Sequence, residues 1–222
     1  MFRDLVIKAQ QIKPYISGHV TDGSSTFTFT VNTNQSVTVP VDSNGKWKWV
    51  VDRTITSFQD SLKQKNNIEK LFIYDKLNDC TNLYGMFTDA SALQEVEFRN
   101  AIFNKVTTTA YMLNRAYALT KLKLPKAQFD SLTTVSNMFI GATNLETIEI
   151  KSLKISLNLR WQSKLTKQSV LNIINAAEAN VTYTLHSTVY NKCKSGGEWY
   201  TDIQAAIDAK SQQGYTVTLI PA

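Results

Sequence analysis

Few side chains in this sequence are equipped for covalent or metal chemistry. His19 and His186 are the only histidines. Neither has a second histidine, a cysteine or a paired carboxylate at a spacing that would hold a metal ion. Cys80 and Cys193 are the only cysteines, too few and too far apart for a disulfide framework. Two buried free thiols are the expectation, because an unpaired cysteine packs as a small hydrophobe. A single long-range bridge is the other arrangement open to them. A Cys193–His186 nucleophile pair has no third group to orient it. The G-x-S-x-G, G-x-G-x-x-G and phosphate-loop spacings are absent. No enzyme activity, cofactor or metal is therefore expected.

Residues suited to binding are easier to find. The 222-residue chain carries a formal charge of +6. Lys151, Lys154, Arg160, Lys164 and Lys167 follow one another with no acid between Glu149 and Glu178. Such a run is either a solvated lysine-rich segment or a docking patch for an anionic polymer. Loose spacing and a single aromatic, Trp161, favour the solvated segment. Trp47 and Trp49 invite a sugar-stacking role. Their spacing matches Phe27/Phe29 and Val37/Val39/Val41, which favours the core of a small sheet. Asn34-Gln-Ser36 and Asn180-Val-Thr182 fit glycosylation acceptors, tripeptides that arise often by chance.

The elements that position these residues are set by a repeat. Leu93, Leu119 and Leu145 lie 26 residues apart, and each opens L-x-x-(L/V/I)-x-(L/F/I). Met86, Met112 and Met138 recur at the same interval, as do Ala90, Ala116 and Ala142. One copy cannot bury its own apolar face, but stacked copies can, so a solenoid is predicted. Ile68/Leu71/Ile73 reads as a degenerate first copy. Val135, Met138, Phe139 and Ala142 fall on one helical face, which predicts a short helix around each methionine. Phe103 and Phe129 should fill the centre. Thr54 to Asn66 also reads as helical, with Ile55, Phe58 and Leu62 on one side.

The outward strand residues form ladders. One runs Lys70, Glu95, Lys121, Thr147 and the next Phe72, Glu97, Lys123, Glu149. Alternating charge makes this face largely self-neutralising. The exceptions are Phe72 and Tyr74 at one end, and Arg99 with Lys151 along a third ladder. These four, with Arg160 and Lys164 from the basic segment, are the candidate partner-binding residues.

The flanks differ from the repeats. Residues 1–13 are a short helix or an extended lead-in, ended by Pro14. Period-two alternation from Tyr15 to Asp52 predicts a small antiparallel β unit, with Asn44-Gly45 as a two-residue hairpin signal. Beyond Lys164, a helix over Thr166–Glu178, a strand at Val181–Leu185, a helix around Trp199–Ile207 and a final strand should cap the stack and continue its sheet. Gly214 stops the last helix. The division expected is 1–66 β-rich unit, 67–165 solenoid and 166–222 α/β cap. No apolar run is long enough to span a membrane, and no signal peptide is visible in the chain.

Gly85-Met-Phe-Thr-Asp-Ala90 and Asn137-Met-Phe-Ile-Gly-Ala142, each leading into a leucine-led strand, resemble the BspA-like leucine-rich repeats of bacterial surface proteins. The likeness covers about residues 68–150, with alanine at the turn position where that group usually has cysteine. It implies an α/β fold, a short leucine-rich-repeat solenoid of right-handed β/α type. It also implies a cell-surface or extracellular location and a role in adhesion or protein contact. The expected function is a non-enzymatic binding module engaging protein or glycan, with no nucleic acid and no membrane insertion. A structural part of a surface appendage or phage-tail-like assembly is the alternative.

Overall fold

The computed structural model describes residues 13–222, so all but Lys13 of the predicted lead-in lies outside the described residues. The fold is mixed α/β and built around a β-solenoid of about four turns. Its main sheet has six strands in the order β4-β1-β5-β6-β7-β8. These are β4 (Lys46–Val50), β1 (Tyr15–Val20), β5 (Ile68–Ile73), β6 (Glu95–Phe98), β7 (Lys121–Phe129) and β8 (Thr147–Leu153). Strands β5 to β8 are parallel, one from each successive coil, in the register read from the repeat: Lys70↔Glu95↔Lys121↔Thr147 and Phe72↔Glu97↔Lys123↔Glu149. The leucine-like positions point inward and are buried, as are Phe98, Phe103 and Phe129 at the centre. Phe103 stacks on Phe129 at 5.5 Å and meets Phe98 edge-on at 5.1 Å.

The methionine segments are not helices. In each, every second N–H points along the stack axis. Leu83, Gly85, Phe87 and Asp89 donate to the carbonyls of Thr108, Ala110, Met112 and Asn114 in the next coil, at 2.8–3.0 Å. The N–H groups between them donate three residues back within the same coil: Met86 to Leu83, Thr88 to Gly85 and Ala90 to Phe87. Thr109, Tyr111, Leu113 and Arg115 repeat the scheme onto Thr134, Ser136, Met138 and Ile140. A helix needs all its peptides turned one way, so this alternation excludes it. The backbone turns left-handed at Gly85, Tyr111 and Asn137, and again at Asp89, Arg115 and Gly141. Apolar i, i+3, i+4 spacing survives because the compact turn still sends Met86, Phe87, Met112, Leu113, Met138 and Phe139 into the core.

Thr54–Asn66 is likewise not a helix but one more copy of this turn. Phe58, Asp60, Leu62 and Gln64 donate to Asn82, Tyr84, Met86 and Thr88 of the following coil. Asp60 and Gln64 are left-handed, as the column requires. Ser61 and Leu62 take the methionine and phenylalanine places, and this coil is 25 residues long, from Asp60 to Gly85.

The N-terminal strands close the carbonyl end of the stack. Strands β1 and β4 extend the main sheet antiparallel to β5. A separate hairpin, β2 (Thr26–Val31) with β3 (Gln35–Pro40), lies over the first turn. Asn32 N–H donates to Ser57 O at 2.8 Å and Thr30 N–H to Ser61 O at 3.4 Å, while the Ser61 hydroxyl donates to Thr30 O. Asn32 Oδ1 also accepts from Thr56 N–H at 2.7 Å. Trp47 and Trp49 are buried against Phe27 and Phe29, as their spacing predicts. The Asn44-Gly45 turn is longer than a two-residue loop. Gly45 N–H donates to Asp42 O and Asp42 N–H to Lys46 O, leaving three residues between them, with Gly45 at φ 74°. Asp42 Oδ1 accepts the N–H groups of Asn44 and Lys46.

The C-terminal unit covers β8. Helix α1 (Lys167–Ala176), capped by Thr166, lies along that strand. Ser169 Oγ donates to Glu146 O and accepts from Ile148 N–H, and Asn172 Nδ2 donates to Ile148 O. These side chains satisfy backbone groups that an open edge would present to another strand. The predicted continuation of the main sheet is not found. Strands β9 (Leu157–Leu159), β10 (Val181–Leu185) and β11 (Val217–Pro221) form their own parallel sheet, because α1 already occupies the β8 edge. Between them lie α2 (Ser187–Cys193), which the sequence reading missed, and α3 (Tyr200–Gln212). Gly214 ends α3 at φ 86°, as predicted.

Two outcomes check this packing. Phe103→Ala should cost about 3–5 kcal/mol in urea unfolding, whereas exposed Tyr117→Ala should stay within about 0.5 kcal/mol. The Lys46 and Asn44 N–H groups hold the Asp42 carboxyl below its ordinary value of 3.8. Its stabilising effect is present above pH 3.8 and is lost as pH falls through the lower folded value. Asp42→Asn should therefore flatten the acid limb of a stability–pH curve.

Candidate functional site

Sheet alternation sends every second side chain of β4, β1, β5 and β6 outward, and neighbouring strands lie about 4.8 Å apart. That spacing matches ring stacking, and the outward residues use it. The Tyr15 and Tyr74 rings stack at 4.1 Å with 22° between planes. Lys48 Nζ lies 3.8 Å from the Tyr15 ring centre, on β4. Arg99, just past β6, places its guanidinium 4.9 Å from Tyr74 and 5.5 Å from Phe72. The result is a strip across four strands, ordered Lys48, Tyr15, Tyr74, Arg99, with Phe72 beside Arg99.

The Glu97 carboxylate forms an ion pair with Arg99, Oε1 lying 3.1 Å from Nε, and holds the guanidinium beside the rings. Burial works against the Arg99 charge, but the hydrogen bond and charge of Glu97 outweigh it and raise its pKa. Burial, then the hydrogen bond and charge of Tyr74, push the Tyr15 phenol above 10, and the Arg99 charge pulls partly the other way.

Beside Phe72 a groove of about 450 Å³ opens between Ser17, His19, Lys46, Glu69, Lys70 and Phe72, with Gly18 and Trp47 also lining it. A bulge in β5 forms it: His19 pairs with Lys70 and Val20 with Ile68, so Glu69 is extruded. Glu69 Oε2 then lies 2.7 Å from His19 Nδ1, while Nε2 meets Asn44 O at 3.0 Å. Only glycine fits at position 18, where a Cβ would sit 2.5 Å from Lys70 O and 2.6 Å from the Trp47 ring.

Of the six residues expected to bind, Phe72, Tyr74 and Arg99 come together. Lys151 shares their sheet face but sits on β8, two strands from Arg99. Arg160 and Lys164 lie elsewhere. Arg160 lines a cavity at the end of the turn stack, and Lys164 Nζ donates to Asn144 Oδ1 at 2.6 Å. Lys154 and Lys167 are paired with Asp130 and Asp202, each at 2.6 Å. The basic run therefore does not converge on one patch. The charge ladders hold their register but close no ion pair among the described residues. Glu97 turns to Arg99 instead, and exposed pairs gain little from closing. The closer pairs link turns one period apart: Arg115 grips Asp89 with two bonds of 2.5 and 2.6 Å, and Lys105 meets Asp79 at 2.7 Å.

The sequence does not single out Tyr15, Lys48 or Glu69, and His19 draws notice only as a histidine without metal-ligand partners. Tyr15 and Lys48 were legible as outward members of alternating strands. Their meeting with Tyr74 was not, because β1 pairs with β5 across a separation of more than fifty residues.

The other reactive side chains serve the fold. Cys80 and Cys193 are free and buried, and burial pushes their thiols up to about 12 and about 11. His186 caps α2, its Nδ1 accepting from Thr188 N–H at 3.2 Å. Among the described residues no three His, Cys, Asp or Glu side chains are grouped to hold a metal ion, and no helix is long and apolar enough to cross a membrane. Comparison with family models, with characterised proteins and with solved structures returned no match.

Tyr74→Phe removes the hydroxyl that helps raise the Tyr15 pKa but keeps the ring stack. The Tyr15 pKa should fall toward 10, the residual elevation being burial. Tyrosine 13Cζ shifts followed through alkaline pH would measure this, and an unmoved Tyr15 would show that the Tyr74 hydroxyl does not contribute to the elevation.

Proposed function

We propose that this chain is a non-enzymatic binding module that engages a protein partner through the outer face of its main sheet. The observation that carries the reading is the Lys48–Tyr15–Tyr74–Arg99 strip, continued by Phe72 into the adjoining groove. Aromatic and arginine side chains held rigidly at a partly buried centre are what energetic hot spots consist of. Ring stacking and the Glu97 contact fix the strip before any partner arrives, so little rotamer freedom is lost on binding.

Protein is favoured over glycan by the occupancy of the ring faces. A sugar stacks on an open aromatic face. Tyr15 already has Lys48 on it and Tyr74 beside it, and Tyr74 has Arg99 over it. Trp47 and Trp49, the other sugar candidates, are buried. The assignment to BspA-like leucine-rich repeats, and with it a bacterial surface location, belongs to this proposal. It is supported by the 26-residue interval and by the Met-Phe turns at Met86-Phe87 and Met138-Phe139.

The test is a binding screen of purified chain against an extracellular-matrix protein panel and a glycan array. A protein ligand should emerge, and both Arg99→Ala and Tyr74→Ala should weaken it by roughly tenfold or more, about 1.4 kcal/mol. Lys121→Ala, on the same sheet away from the strip, should leave it unchanged. Binding that survives Arg99→Ala and Tyr74→Ala together would sink this surface. A glycan ligand lost with Tyr15→Ala would replace the protein reading.

A further inference from the structure

The turn stack is polar along its axis. In the stack the peptides that cross-link the coils, such as those joining Tyr84 to Gly85 and Met86 to Phe87, point their C=O toward the N-terminal coil and their N–H toward the C-terminal one. One column runs through the N–H groups of Asp60, Gly85, Tyr111 and Asn137, and the next through those of Leu62, Phe87, Leu113 and Phe139. Parallel peptide dipoles sum along such columns, as they do along a helix, and leave the N–H end partially positive. The carbonyl end is covered by N–H donors of Asn32 and Thr30. The N–H end has no such cover. Asn137, Phe139 and Gly141 N–H find no acceptor among the described residues, although their equivalents in every earlier coil are paired.

A cavity of about 160 Å³ sits at this end, lined by Val135, Asn137, Phe139, Asn158, Arg160 and Trp161, with Met138 and Ile140. Arg160 forms no ion pair among the described residues, whereas Lys154 and Lys167 of the same basic segment do. Gln162 is wholly buried against the same turn. Its Nε2 donates to Phe139 O at 2.8 Å and Ala142 O at 3.3 Å, and its Oε1 is left without a partner.

We infer that the C-terminal end of the turn stack is a binding site for a small oxyanion, received by the N–H groups of Asn137 and Phe139 and by the Arg160 guanidinium. Open backbone N–H groups lining a concavity can receive an anion, and a guanidinium adds a charged fork suited to sulfate, phosphate or carboxylate. A cavity of about 160 Å³ is large enough to admit an oxyanion group. The site is separate from the sheet-face strip, so its failure or success leaves the proposed protein-binding role standing.

The experiment is a titration of the 15N-labelled full chain with sodium sulfate, against sodium chloride at matched ionic strength. Asn137 and Phe139 amides should shift saturably, with a dissociation constant on the order of 1–10 mM. Arg160→Gln should weaken this at least about tenfold, while Lys121→Gln, an equal loss of charge elsewhere, should not. Unchanged shifts away from residues 135–162 in Arg160→Gln confirm that its fold is intact. Saturation by inorganic sulfate but not by glucose 6-sulfate assigns a free ion, and saturation by both assigns a group carried on a larger molecule. Shifts that match chloride, or an Arg160→Gln protein that binds sulfate as well as the parent, overturn the assignment.

Discussion

Every other arrangement in this molecule depends on peptide groups that point from one coil to the next. In the methionine turns, alternate N–H groups leave their own coil and close on the carbonyls above, while those between them close locally. A local helix would satisfy the same groups without fixing any neighbour. The alternating scheme ties each coil's register to the next, and the parallel strands on the other side repeat that register. It requires left-handed backbone at two columns, occupied by glycine at only Gly85 and Gly141. A non-glycine residue there costs on the order of 1 kcal/mol or more. Two net hydrogen bonds return a similar amount, and burying the adjoining Phe or Leu returns about 1.5–3 kcal/mol. Packing therefore decides the conformation, and the hydrogen bonds decide its alignment.

This balance explains what was legible in the sequence. The strands, their register, the buried leucines and the alignment of Met86, Met112 and Met138 follow from a 26-residue interval that any reader can count. The turn conformation did not, because i, i+3, i+4 apolar spacing describes any compact right-turning segment that buries one side. The left-handed residues Asp60, Gln64, Tyr111 and Arg115 carry no glycine to announce them. The first turn was hidden further by Ser61 in the methionine place and by a coil one residue short. Trp47 and Trp49 were placed correctly because alternation in a half-buried sheet has one consistent solution.

The candidate site was half legible. Phe72, Tyr74 and Arg99 stood out as interruptions in a charge-alternating face, and they do cluster. Tyr15 and Lys48 joined them through antiparallel pairing of the N-terminal strands with β5, a long-range choice that no local pattern encodes. The basic segment misled in the other direction. Proximity along the chain suggested a patch, but the chain turns between Lys151 and Arg160 and sends them to different sides of the molecule. The two ends of the turn stack are likewise unequal: donors from the N-terminal hairpin cover its carbonyl end, and at the opposite end the Asn137, Phe139 and Gly141 N–H groups find no acceptor among the described residues.

The one-residue difference between the first coil and the rest bears on how such a chain tolerates changes in length. The difference is taken up at the corner after β5: before it Gln94 N–H donates to Glu69 O, 25 residues back, and after it Ile102 N–H donates to Lys76 O, 26 residues back. The cross-links of the turns on either side keep their alignment. A larger offset sits between β7 and β8, where Leu124 pairs with Ile150 but Gln128 with Ser152. Corners can therefore gain or lose residues while the turns and strands they join remain stacked.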